Sequence, residues 1–132
     1  MDILIPYINS TWAGTELKYA LRSIEKHVQH DRVFIIGDKP DWLCNVTHIP
    51  FKDNPNIESK ERNIMQKIMV GFEHTEEVIM FNDDHFILQK TDIENYPYYR
   101  GGSLVYNKDT SGAYRKAVNN TIEVLKQMNK DT

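Results

Sequence analysis

The apolar run Val78-Ile79-Met80-Phe81 passes without a break into Asn82-Asp83-Asp84-His85. No other stretch constrains the fold as much. Four consecutive apolar residues between charged neighbours predict a strand buried on both faces, as in the middle of a parallel sheet. Parallel strands need crossover connections, normally helices, and the chain has stretches of the right period. Leu17, Ala20, Leu21, Ile24 and Val28 form one helical stripe, and Ile64, Met65, Ile68, Met69 and Phe72 form a second.

Thr15 is the expected cap of the first helix and Ser59 of the second. Three further apolar runs complete the sheet: Ile3 to Tyr7, Val33 to Ile36 and Val46 to Ile49. Pro6 is expected to end the first of these or to bulge it. Phe86-Ile87-Leu88 offers another short strand. A last helix from about Ser111 carries Tyr114, Ala117, Val118, Thr121, Leu125 and Met128 on one side. The order β-α-β-β-α-β-α predicts an α/β protein, a three-layer α/β/α sandwich with a mostly parallel central sheet.

A chain of 132 residues supplies one core, hence one expected domain. The net charge of −3 and the lack of a Lys/Arg cluster argue against a nucleic-acid surface. Cys44 is the single cysteine, so no internal disulfide forms. No stretch approaches the roughly 20 apolar residues of a membrane span, and the start lacks a signal-peptide pattern. A cytoplasmic location is expected, and the three Asn-x-Ser/Thr matches are read as coincidental. His27, His30, His48 and His74 have no zinc-type spacing with Cys44. No P-loop, Gly-x-Ser-x-Gly or Gly-x-Gly-x-x-Gly motif is present.

Ligands of open α/β sheets bind at the C-terminal ends of strands, where this sequence puts Asp83 and Asp84. Adjacent carboxylates in a cleft need a cation or donors to offset their repulsion. Hard oxygen ligands suit Mg²⁺ or Mn²⁺ with ligand phosphates completing the shell, and His85 would tilt the choice toward Mn²⁺. The competing reading is a plain polar turn. Asn9, Ser10 and Thr11 lie between the first strand and first helix, where free amides favour an anion. Asp38 ends the second strand and either accepts from a ribose or base or holds its own turn. Lys60, Arg62, Asn63 and Lys67 can neutralise phosphate or line a solvated helix face. Tyr96 to Tyr99 forms an aromatic loop suited to a sugar face or to a lid. Arg22 is expected beside Tyr19, and Trp42 under the second strand.

Three stretches occur in an order seen in a known family. They are Glu16 to Ile24 with its Leu-Arg-Ser-Ile piece, Pro40-Asp41-Trp42-Leu43, and Phe81-Asn82-Asp83-Asp84-His85-Phe86. Together they resemble the Stealth-type sugar-phosphate transferases and small bacterial and phage-borne proteins of GT-A-like glycosyltransferase fold, over roughly residues 2 to 90. The resemblance implies a nucleotide-sugar donor, a carbohydrate or other hydroxyl acceptor, and Mn²⁺ or Mg²⁺ at the Asn-Asp-Asp motif. It makes Asp83 and Asp84 the metal and diphosphate contacts. It puts Tyr7, Asn9 and Asp38 near the nucleotide, and Lys60 and Asn63 near the donor's phosphates or sugar. Asp84 and His85 are the candidate bases for the acceptor hydroxyl. Chains of that family continue into a further histidine-bearing segment, whereas this sequence stops at Thr132. Donor binding is accordingly expected ahead of turnover, and a non-catalytic nucleotide-sugar-binding module is the alternative to an enzyme. A third reading is a structural or interaction domain.

Overall fold

The computed structural model describes residues 1–9, 14–56, 60–97, 103–106, 108 and 112–130. The expected cap Ser59 and start Ser111 lie outside the described residues, as do Ser10, Thr11, Tyr98 and Tyr99. The elements in order are β1 (Asp2–Tyr7), α1 (Thr15–His27), β2 (Val33–Gly37), β3 (Thr47–Pro50), α2 (Lys60–Phe72), β4 (Val78–Met80) and α3 (Ala113–Gln127). This is the predicted order. The strands form one all-parallel sheet, β3-β2-β1-β4, compatible with a Rossmann-like fold. The chain divides into two compact units, Met1–Tyr96 and Pro97–Thr132.

Parallel pairing in register sends partner side chains to the same face, and the core separates accordingly. Ile3, Ile5, Tyr7, Val33 and Ile35 pack with Leu17 and Ile24 of α1. Leu4, Phe34 and Ile36 point the other way and pack with Ile68 of α2. Gly71 sets that second contact, since a Cβ there would lie 1.9 Å from Leu4 Cδ1.

β4 departs from expectation. It is an edge strand, half-buried, with Met80 47% exposed. The strands covered on both sides are β1 and β2, whose residues are all buried. A continuous apolar run does not distinguish a central strand from an edge one. Among the described residues, 86–88 form no strand.

Pro6 does not break β1, because of where its missing N–H falls. Asp2 N donates to Glu77 O (3.2 Å) while Ile3 N donates to Arg32 O (2.8 Å), so even-numbered amides of β1 face β4. Pro6 is on the β4 side, one rung past the last pair, Leu4↔Met80. Phe81 N still reaches Leu4 O (2.9 Å), but the next rung would need a Pro6 donor. The ladder therefore stops there, and β1 and β4 are free to part at their C-terminal ends.

The helices also differ from the predicted stripes. Thr15 opens α1, but Gly14 is its cap, left-handed at φ 73°. A Cβ at Gly14 would lie 2.8 Å from the Tyr7 hydroxyl, so the cap position demands glycine twice over. In α2 the buried residues are Asn63, Lys67, Ile68 and Gly71, while Ile64, Met65, Met69 and Phe72 are exposed. The helix is turned so that the small Gly71 and two hydrogen-bonded polar side chains meet the sheet. In α3 Ile122 is buried, but Tyr114 and Met128 are exposed rather than inward. It ends with Asn129 at φ 52° and Lys130 N donating to Leu125 O at 2.9 Å, a left-handed closure.

At the other end of the sheet, buried Asp2 accepts from Arg32 Nη2 (2.6 Å), Arg32 N (3.0 Å) and Thr75 Oγ1 (2.7 Å). The Arg32 side chain, more than the Thr75 hydroxyl, holds the Asp2 carboxyl below its ordinary value against the opposing effect of burial. A depressed folded value means stability that is present above the unfolded pKa of about 4 and lost as pH falls through the folded one. Asp2→Asn is expected to cost about 2 kcal/mol at pH 7. Its melting temperature should converge on that of the unaltered chain as thermal scans are taken from about pH 6 down to about pH 2.5.

Candidate functional site

The C-terminal ends of β1, β2 and β4 gather most of the expected site residues. The strand order places β2 and β3 on one side of β1 and β4 on the other, so the winding of the sheet reverses between β1 and β4. A reversal of this kind leaves a crevice at the strand ends, the usual ligand position in open α/β sheets. Here Pro6 ends the pairing on the β4 side, and Asn82-Asp83-Asp84-His85 follows directly.

That stretch is a turn, closed by His85 N donating to Asn82 O at 3.2 Å. The His85 ring folds back on it: Nδ1 accepts the Asn82 backbone N–H at 3.2 Å, and the ring stands edge-on to Phe81 with centroids 6.2 Å apart. A neutral imidazole accepting at Nδ1 carries its proton on Nε2. Phe81 is buried in the α1-side core and anchors the turn. Asp83 is half-buried and Asp84 exposed. Burial chiefly pushes the Asp83 carboxyl above its ordinary value and the Asp84 charge adds to this, while a backbone hydrogen bond, His85 and Lys67 pull it down. The pair is thus short of positive charge.

Tyr7, Asn9 and Asp38 are brought together on the other side of the crevice. Asp38 N donates to Tyr7 O (3.3 Å) as the last rung between β1 and β2. Asp38 Oδ2 accepts from Asn9 N at 2.7 Å, tying the two strand exits together. The Tyr7 side chain is buried in the core, so it shapes the floor and leaves contact with a ligand to its neighbours. Gly37 makes the junction possible. Its φ is +130°, and a Cβ would stand 1.9 Å from Tyr7 O and 3.2 Å from Lys67 Cε.

Lys67 is the residue that periodicity misplaces most. Its side chain is 2% exposed, and Nζ donates to Tyr7 O (3.0 Å) and pairs with Asp53 Oδ1 (2.6 Å). It belongs to a polar and small stripe, Asn63, Lys67 and Gly71, at four-residue spacing. That stripe is the signal the sequence carries, and the stronger apolar stripe beside it masks it. Asn63 is engaged internally, where its Oδ1 accepts from Asn54 N (3.0 Å) and its Nδ2 donates to Asn54 O (3.4 Å). Lys60 is exposed at the start of α2. Arg22 lies over Tyr19 at 5.8 Å as expected, whereas Trp42 is 37% exposed.

Among the described residues no three His, Cys, Asp or Glu side chains converge as a metal cage. An ion at the turn would have Asp83 and Asp84 from the protein and would draw its other oxygens from ligand and water. That donor set fits Mg²⁺ or Mn²⁺ beside phosphates, which are commonly held through one or two carboxylates. Among the described residues no helix is long and apolar enough to cross a membrane.

The fold and site define an α/β protein with an all-parallel four-stranded sheet and an acidic turn where its winding reverses. Comparison with known protein families, with curated proteins and with solved structures finds no match.

Proposed function

We propose that the chain binds a nucleotide-sugar through Mn²⁺ or Mg²⁺ at Asp83 and Asp84 and transfers the sugar, or a sugar phosphate, to a hydroxyl acceptor. The fold proposed for it is the GT-A-like three-layer sandwich. One observation carries the reading: a half-buried aspartate beside a second carboxylate, lifted by burial, at the crevice where Pro6 parts β1 from β4. A plain polar turn is normally solvated and would not hold a carboxylate away from water.

A divalent ion so held would offset charge developing on the leaving phosphate. The protein's own part is mainly positional. Asp83 is fixed by the Phe81 anchor. Asp38 and Asn9 hold the facing rim, with one Asp38 oxygen directed to the backbone and the other left for a ribose hydroxyl or a base N–H. Asp84, exposed at the turn, is the group suited to accept the acceptor's proton. His85 accepts the Asn82 N–H at Nδ1 and has Nε2 3.5 Å from the Asn82 side-chain amide, so its part is to steady the turn beside the ligand.

Calorimetry of uridine and guanosine diphosphate, each with Mn²⁺ and with a chelator, tests the reading. Metal-dependent binding is expected. No binding of either nucleotide in the presence of metal sinks it. Release of nucleoside phosphate from a panel of nucleotide-sugars then separates an enzyme from a binding module.

A further inference from the structure

We propose that Lys67 is an anion-receiving residue of this crevice, taking a phosphate oxygen of the ligand directly, with no divalent ion between them. The inference rests on the reading of the crevice as a phosphate-ligand site and adds a second, metal-independent anchor to it.

A lysine ammonium has three N–H donors and no acceptor. In Lys67 one donor meets Tyr7 O and one meets Asp53. The third has no partner among the described residues. A buried donor left unmatched is unfavourable, so such a group normally serves a ligand or a structural acceptor. The location favours the ligand. Nζ sits at the C-terminal end of β1, on the same Tyr7 carbonyl that receives the Asp38 backbone N–H. Gly37 leaves room for this lysine, since a Cβ there would lie 3.2 Å from Lys67 Cε.

The Tyr7 carbonyl does not depend on Lys67, since Asp38 N also donates to it. The only charge compensating Lys67 at bonding distance among the described residues is Asp53, which is 27% exposed on the segment after β3. A phosphate oxygen would share the ammonium with Asp53 or displace it. Asp53 is then a competitor of the ligand, and removing its charge should strengthen binding. A lysine present only to hold Asp53 predicts no such gain.

The test titrates the full chain with inorganic pyrophosphate in a chelator, read by calorimetry and by amide NMR shifts. The unaltered chain is expected to bind. Lys67→Met should weaken binding about ten-fold or more, the worth of one charge-assisted hydrogen bond. Asp53→Asn should strengthen it several-fold, and Lys90→Met, a remote surface control, should leave it unchanged. If Lys67→Met fails to fold, the Asp53→Asn gain alone decides. Absence of metal-free pyrophosphate binding, equal binding by Lys67→Met, or no gain in Asp53→Asn each overturns the inference. Metal-dependent nucleotide binding without metal-free pyrophosphate binding removes Lys67 and keeps the transferase reading. The reverse pattern keeps Lys67 and removes the metal site.

Discussion

Asp83→Ala is expected to weaken binding of a nucleoside diphosphate in the presence of Mn²⁺ by about a hundred-fold or more. Loss of an outer-shell partner of a metal ligand already costs about ten- to a hundred-fold, and Asp83 is placed as a direct ligand. The same substitution should leave folding stability unchanged or slightly improved. Burial disfavours the Asp83 charge, and Asp84 stands beside it. The closing bond of the turn, His85 N to Asn82 O, is backbone to backbone and survives the change. A site and a structural turn therefore predict opposite patterns. Calorimetry with metal and nucleotide, alongside thermal melts of the ligand-free chain, distinguishes them. A marked loss of melting temperature with no effect on nucleotide binding would return Asn82-Asp83-Asp84 to a polar turn.

Gly37→Ala is the substitution with the largest expected effect on the fold. At φ +130° a non-glycine residue is strained whatever surrounds it, a cost of about 1–3 kcal/mol. The added methyl would also stand 1.9 Å from the Tyr7 carbonyl oxygen, which is backbone and cannot step aside as a side-chain end can. Overpacking of this kind costs about 1–3 kcal/mol more. Together these predict a loss of about 3 kcal/mol or more, a fall in melting temperature of roughly 10 °C. Gly71→Ala should cost less, because its clash is with the flexible end of Leu4. Melts of the two variants side by side check the ranking. A smaller loss in Gly37→Ala than in Gly71→Ala would contradict the account of the β1–β2 exit.

Much of the architecture was legible because it depends on local pattern. Apolar runs of strand length mark β1, β2 and β3 within a residue or so, and helical periods mark α1 and α2. The position of Asp83 and Asp84 after a strand, and of Asp38 after another, needed no more than that. The rotation of α2 was not legible. Ile64, Met65, Met69 and Phe72 make the stronger apolar stripe, yet Asn63, Lys67 and Gly71 face inward. Their partners, Asn54, Asp53, Tyr7 and Leu4, lie outside the helix, and only those contacts make a polar face the favourable one. Pro6 misleads for a related reason. Whether a proline breaks a strand depends on which neighbour its amide would have faced, and the sequence does not say where β4 will lie.

The sequence by itself determined the alternation of strands and helices, a parallel sheet, and an acidic turn at the end of one strand. These follow from hydrophobic period and from the stop signals at strand ends, both of which act over a few residues. The tertiary structure alone decided that β4 is an edge strand, that Pro6 opens the gap beside it, and that Lys67 lies buried with Asp53 and Tyr7. Each of these is a relation between separate segments; Lys67 and Tyr7, for one, are 60 positions apart. Pairing and burial at such distances depend on how the whole sheet closes, which no local pattern encodes.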